Sequence, residues 1–373
     1  MVVRKPLWKV ADQANNAGRT EIQAKLQMFE VSPGSRYGGK GRTLEMMNLS
    51  KMDCFAMTDR GQRRAENDDQ YLVADLVKAV RIQSTSLSYD DHSRVSGDSQ
   101  GKVLLVADGL GSPAAGSRAS TLAVDETINC MVNRMYWSAL GHTAERDDQR
   151  LLFADLVTAL KSCQRRIHEE AEWNVAKQGM GTTLTVAIVN WPALHVVHVG
   201  DSRCYLSHDS ELQQITQDHT LAGARAEARE CTISEAQESS GGGMLWNVVG
   251  GKSPDIDPKV YNSSLSIGDT LLLCTDGLHK HVTDDEIADI LQKRNSARDV
   301  CEDLVNKANA AGGADNITVA VARFHDTKQK PLKQDQEVVQ ETGTVGFGGA
   351  AKMDPASSAA TIPVATPGKV VPR

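Results

Sequence analysis

Between residues 52 and 325, short apolar runs alternate with polar turns, and the spacing of the apolar positions separates strands from helices. Period-two alternation, or a brief apolar run bounded by turn residues, predicts strands at 54–58, 70–74, 102–107, 182–189, 194–199, 204–207, 270–274 and 317–323. The last alternates cleanly, with Ile317, Val319 and Val321 on one face and Thr318, Ala320 and Ala322 on the other. Several runs lie too close together for crossover helices, so antiparallel pairing must dominate. Steps of three and four at Leu152, Leu156, Leu160, Cys163, Ile167 and Ala171 predict an amphipathic helix, and Leu122, Ile128, Met131 and Met135 another before it. A third helix starts at Thr283, where Thr283-Asp284-Asp285-Glu286 has a capping-box pattern ahead of Ile287 and Leu291. Residues 81–101 read as a long polar hairpin loop, and 218–243 as a polar insertion between strands.

Composition adds boundaries. The 373 residues leave room for one large domain with appendages, and 40% apolar with 24% charged residues is an ordinary globular balance. A net charge of −7 argues against nucleic-acid binding overall. That charge is uneven: residues 1–51 hold nine Lys/Arg against four Asp/Glu, residues 326–373 six against five, and the middle therefore carries −13. We expect a basic N-terminal extension (1–51) with a helical piece near 22–29, an α+β domain (52–325), and a flexible Gly/Ala/Pro/Thr-rich tail (326–373), whose composition cannot offset its ordering entropy. No apolar run of signal-peptide length follows Arg4, Lys5 and Lys9, and the uncharged stretch 179–200 is broken at Asn190-Trp191-Pro192 into two strands and a turn. A cytoplasmic location without a membrane span is the expectation. The seven cysteines form no C-x-x-C pair and no zinc-ligand cluster with histidine.

Four segments place carboxylates at strand edges: Glu66-Asn67-Asp68-Asp69, Asp108-Gly109-Leu110-Gly111, Thr275-Asp276-Gly277 and Asp315-Asn316. Each alone is an ordinary turn. If the four converge, their mutual repulsion must be neutralised, and hard oxygen donors without cysteine or histidine point to Mg²⁺ or Mn²⁺. His279 and His281 follow Asp276 closely but read as satisfied histidines, and His195 and His198 point to opposite faces of one strand.

At these residues the chain resembles the metal-dependent protein serine/threonine phosphatases of type 2C, especially their bacterial members. The motifs occur in family order: Thr58-Asp59-Arg60-Gly61 leading to Arg64-x-x-Asn67-Asp68-Asp69, then Asp108-Gly109-x-Gly111, Gly181-Thr182-Thr183, Val199-Gly200-Asp201-Ser202-Arg203, Thr275-Asp276-Gly277-Leu278 and Asp315-Asn316-x-Thr318. The resemblance implies a four-layer α-β-β-α sandwich, two antiparallel sheets flanked by helix pairs. It implies two metal ions bridged by Asp108, with Asp276 and Asp315 completing one position and the Gly109 carbonyl and Asp68 contributing to the other. Asp201 matches the aspartate that, with the counterpart of Asp276, holds a third, weaker ion. Asp69 would order a bound water, and Arg64 would grip the substrate phosphate. The implied activity is hydrolysis of phosphoserine and phosphothreonine in proteins, substrates of a serine/threonine kinase, by in-line attack of a hydroxide held between the ions, without a phosphoenzyme. A monomer is expected.

The chain departs from the family pattern at four places. Ser112 stands where glycine is usual, Leu110 where some relatives have a proton-donating histidine, and Asp68 where glutamate is commoner. Trp246-Asn247-Val248-Val249-Gly250 replaces an Arg-Ala-Leu-Gly-like run after the flap, 218–243, in which Gly241 to Gly243 fit a hinge or an ordinary loop. The competing readings are a catalytically weak phosphoprotein-binding module of the same fold and a hydrolase of small phosphate metabolites.

Overall fold

The alternating segments pair into two antiparallel sheets of five strands. In spatial order the first is β1 (Asp53–Asp59), β13 (Ile317–Arg323), β12 (Thr270–Cys274), β8 (Arg203–His208) and β9 (Glu211–Gln214). The second is β11 (Lys259–Ser264), β7 (Ala193–Val199), β6 (Leu184–Asn190), β3 (Arg94–Ala107) and β2 (Gln70–Arg81). A small ribbon joins β10 (Val249–Gly250), β5 (Gly181–Thr182) and β4 (Gly109–Leu110). The helices are α1 (Ala115–Asn133), α2 (Arg146–Trp173), α3 (Leu221–Glu227), α4 (Asp276–His279), α5 (Asp284–Gln292) and α6 (Ala297–Ala310). This computed structural model describes residues 52–325 apart from 83–93, 113, 136–145, 210, 229–231, 233–234, 236–240 and 294. The helix expected near 22–29 and both terminal extensions lie outside the described residues.

Each sheet is buried on both faces, which sets the layer order. Between the sheets, Leu104, Val106, Ala187 and Val196 meet Ala56, Leu206, Leu273, Ala320 and Ala322. On the outer face of the second sheet, Val103, Leu105, Val186 and Ile188 pack on Leu122, Leu156 and Leu160 of α1 and α2. On the outer face of the first, Leu272, Val319 and Val321 pack on Ile287, Leu291, Val300 and Leu304 of α5 and α6. The result is a four-layer α-β-β-α sandwich, and β13 divides its side chains between two cores as its alternation predicts. The capping box at Thr283 forms, with Thr283 and Glu286 each accepting from the other's backbone N–H.

The helices α3, α4 and α6 were not predicted, and other details also differ from the sequence expectation. The single strand 182–189 is two, because Thr183 N–H and Thr182 Oγ1 both donate to the Asp108 carbonyl at 2.9 Å and draw β5 into the small ribbon. The 81–101 loop is shorter, since the β2–β3 ladder continues through register shifts at Val77 to the pair Arg81 and Arg94; polar side chains do not prevent backbone pairing. Ile128 is 37% exposed, and Thr127 takes the buried place on α1 by turning its hydroxyl back to the Ala123 carbonyl at 2.7 Å. The strands β9 and β11 were not expected: they lie at sheet edges and are mostly polar. No helix among the described residues is long and apolar enough to cross a membrane.

Candidate functional site

Strand ends from both sheets deliver acids to one place. Asp108 follows β3, Asp201 lies in the β7–β8 turn and Asp276 opens α4 directly beyond β12. One carboxylate oxygen from each of these three lies within 4.8 Å of the others. Their fields, with those of Asp69 and Asp315, act on one another. Burial first, then the charges of Asp69, Asp276, Asp201 and Asp315, push the Asp108 carboxyl well above its ordinary range. Burial and Asp276 raise Asp201 to about 7. For Asp69, burial, aided by Asp276 and Asp315, outweighs the bonds it accepts from Thr318 and Thr275 and again brings it to about 7.

The backbone around these acids is tightly fixed. Asp108 N–H donates to Thr183 Oγ1 at 2.9 Å. A Cβ on Gly109 would sit 2.3 Å from the Gly116 carbonyl oxygen and 2.7 Å from that of Asp68, so only glycine lets this loop lie against the start of α1. Asn316 clamps the approach to β2: its Oδ1 accepts from Asp68 N–H, and its Nδ2 donates to the Arg60 and Glu66 carbonyls, each at 2.9 Å. Asp68 itself accepts from Ser117 N–H at 3.1 Å and stands outside the three-carboxylate group, its pKa raised by burial. Arg64, 54% exposed in its side chain, donates to Asp315 Oδ2 at 2.7 Å. Lys280, one turn after Asp276, donates to Asp276 Oδ2 and reaches within 3.8 Å of Asp201.

Oδ1 of Asp69, of Asp201 and of Asp276 is buried with no hydrogen-bond partner. These side chains belong to residues only 3%, 3% and 7% exposed. Buried acceptors left unpaired are costly, and Asp201 and Asp276, converging with Asp108, form an all-oxygen donor set that a hard divalent cation satisfies. The residues present therefore fit Mg²⁺ or Mn²⁺.

Other candidates are engaged elsewhere. His279 Nε2 bonds the Asp201 carbonyl at 2.9 Å and His281 Nδ1 the Gly277 carbonyl at 3.2 Å. His195 pairs with Asn262, and His198 with Thr185 and the Gln217 carbonyl, on opposite faces of β7. Among the described cysteines, Cys130, Cys163, Cys204, Cys274 and Cys301 are buried and Cys54 is half-buried; burial raises all six thiols, so none is a ready nucleophile. Cys231 lies outside the described residues.

Sequence reasoning assigned no role to Lys280, Thr275, Thr318 or His219. Lys280 was signalled only by its four-residue spacing from Asp276. His219 is the anchor of the 218–243 insertion: its Nδ1 accepts from Gly200 N–H at 3.2 Å and from Asn247 Nδ2 at 2.9 Å, and its ring lies 5.0 Å from that of Trp246. The run 246–250 thus holds the insertion's base. Gly241 and Gly242 are tied in by Met244 N–H and Ala222 N–H, each at 2.9 Å.

The family described as protein phosphatase 2C matches residues 80–320. The chain is 33% identical over 225 residues to the serine/threonine protein phosphatase PstP of Mycobacterium tuberculosis, spanning 60% of this chain and 41% of that relative's length. It is 31% identical over 284 residues to protein phosphatase PhpP of Streptococcus pneumoniae, covering 74% of this chain and 98% of PhpP. A crystal structure of the PstP catalytic domain in complex with 2 manganese ions superposes with a TM-score of 0.56 at 29% identity, covering 74% of this chain and 99% of that one. By fold, acid cluster and sequence, the chain belongs to the protein phosphatase 2C family.

Proposed function

We propose that this chain is a Mg²⁺- or Mn²⁺-dependent phosphatase that hydrolyses phosphoserine and phosphothreonine in proteins. The reading is carried by the convergence of Asp108, Asp201 and Asp276 within 4.8 Å. In it, Asp108, Asp276 and Asp315 would hold one ion, Asp108, the Gly109 carbonyl and Asp68 a second, and Asp201 with Asp276 a weaker third. Bound there, such ions supply water of lowered pKa and offset charge on the phosphoryl oxygens.

The chain's own groups do the rest. Asp69, fixed through Oδ2, keeps Oδ1 free to accept a hydrogen bond from the attacking water. Arg64, released from Asp315, takes the phosphate in its planar fork and holds phosphorus in line for displacement. The raised thiols favour direct transfer to water over a cysteinyl intermediate. Leu110 has no proton to give, so the proton for the departing alkoxide would come from water held at the acid cluster. Residues 52–325 are the catalytic unit in this reading, a cytoplasmic monomer opposing a serine/threonine kinase.

Phosphate release from a phosphothreonine peptide and from a sugar phosphate, with Mn²⁺ and with chelator, tests the reading on the full chain. Mn²⁺-dependent release favouring the peptide is expected. Peptide binding without release identifies the phosphoprotein-binding module, and preference for the sugar phosphate identifies the metabolite hydrolase.

A further inference from the structure

Among the described residues, Lys280 places its ammonium against two of the three converging carboxylates. Lys280 caps the C-terminal end of α4, one helical turn beyond Asp276, so the two side chains share a face. Its ammonium donates to Asp276 Oδ2 and lies 3.8 Å from Asp201 Oδ2. These are the two residues that, with Asp108, bring carboxylate oxygens within 4.8 Å of one another. We propose that Lys280 is a built-in competitor for the cation position between Asp201 and Asp276, so that a divalent ion enters it only by turning the lysine out to solvent. The inference rests on the reading of these aspartates as metal ligands.

Three observations support it. The ammonium leaves Oδ1 of Asp201 and Oδ1 of Asp276 without partners, so one positive charge does not satisfy the pair. The lysine side chain is 50% exposed, so it has an open path away from the acids, unlike a locked interior ion pair. Its flexible four-carbon stem also allows departure without moving α4. An ion binding to the fraction of molecules with the lysine turned out has an apparent affinity reduced by that fraction. Lys280 therefore tunes the divalent concentration at which the Asp201 side of the cluster fills, and holds Asp201 in place below it.

Calorimetric titration of Mn²⁺ into the metal-stripped full chain tests this with wild type, Lys280→Met and Lys280→Arg. Lys280→Met is expected to tighten the weakest Mn²⁺ step by about twofold to fivefold, the scale of a partly exposed ion pair, while Lys280→Arg does not. Equal Mn²⁺ affinities in wild type and Lys280→Met overturn the competition. Absence of any Mn²⁺ binding by wild type overturns the metal reading of the aspartates instead. Should Lys280→Met fail to fold, reductive methylation of the wild-type chain decides: Lys280 must become more reactive when Mn²⁺ is added, and unchanged reactivity rejects the proposal.

Discussion

Thr318 Oγ1 donates to Asp69 Oδ2 at 2.7 Å, joining residues 249 positions apart and fixing the direction of a whole chain of hydroxyls. Asp69 Oδ2, which receives two hydroxyl donors, acts as an acceptor, so the single Thr318 hydroxyl hydrogen is committed to it. Thr58 Oγ1, 2.7 Å from Thr318 Oγ1, must then donate to Thr318, and Asn67 Nδ2 donates to Thr58 at 2.9 Å. Thr275 Oγ1 adds a second bond to Asp69 Oδ2 at 2.8 Å while accepting from Thr318 N–H at 3.0 Å.

Thr318→Val keeps the shape of the side chain and removes its hydroxyl. Asp69 loses one of two donors in a buried place, and Thr58 loses its acceptor, so stability should fall by about 1–3 kcal/mol in denaturant titration. The phosphatase reading adds a drop in kcat exceeding any rise in KM. A variant as stable and as active as wild type would show that Asp69 needs no fixing.

Asp201→Asn separates stability from metal binding. Burial and Asp276 already disfavour the charged form of Asp201. A neutral amide should therefore raise the melting temperature in chelator and shrink the upward shift produced by Mn²⁺. A variant melting lower than wild type in chelator would mean that the contact with Lys280 outweighs the repulsion.

The same raised carboxyls set a pH dependence. Asp69 and Asp201 bind protons up to about 7 in the folded chain, against 3.8 ordinarily. The folded state thus holds more protons than the unfolded one between these values. Their contribution to stability is fully present below the lower value and lost as pH rises through the upper. Mn²⁺ relieves that loss, so the difference in melting temperature between Mn²⁺-loaded and chelated protein should be small at pH 5 and larger at pH 8. A difference that stays flat across this range excludes proton–metal competition at the cluster.

Gly277→Ala tests how two acid-bearing loops meet. A Cβ there would lie 1.9 Å from the Asn316 carbonyl oxygen, which is backbone and cannot rotate away. The loop of Asp276 and that of Asp315 and Asn316 must then move apart, with a stability loss of about 1–3 kcal/mol and weaker Mn²⁺ binding by calorimetry. Unchanged Mn²⁺ affinity would show that the two loops act independently.

Such contacts mark what sequence reading can reach. The strands were legible because those buried on both faces write themselves as apolar runs, and four acid segments because they stand where those runs stop; the sandwich layering and Asp201 were implied only by the family resemblance. The polar edge strand Lys259–Ser264 carries no such run, since none of its residues is fully buried. Asp108, Asp201 and Asp276 could be named from their motifs, yet the Arg64 bond to Asp315 spans 251 positions and depends on how the first sheet folds back. Lys280 was hidden differently: its spacing from Asp276 was visible, but its approach to Asp201 exists only once β7, β8 and α4 meet.

Asn247 ties the base of the 218–243 insertion to the acid cluster. Asn247 Nδ2 donates to His219 Nδ1 at 2.9 Å and to the Asp257 carbonyl at 2.8 Å, and its Oδ1 accepts from Asp257 N–H at 3.2 Å. His219 in turn accepts from Gly200 N–H, the residue before Asp201, and burial holds its imidazole neutral with a pKa of about 3. Asn247 therefore links the insertion to the acid cluster through a ring that stays uncharged across the working pH range. Asn247→Ala should loosen the insertion while leaving the carboxylates in place, raising KM for a phosphopeptide several-fold more than it lowers kcat, with Mn²⁺ affinity little changed. A matching loss of Mn²⁺ affinity would instead make His219 a support for Asp201 rather than an anchor for the insertion.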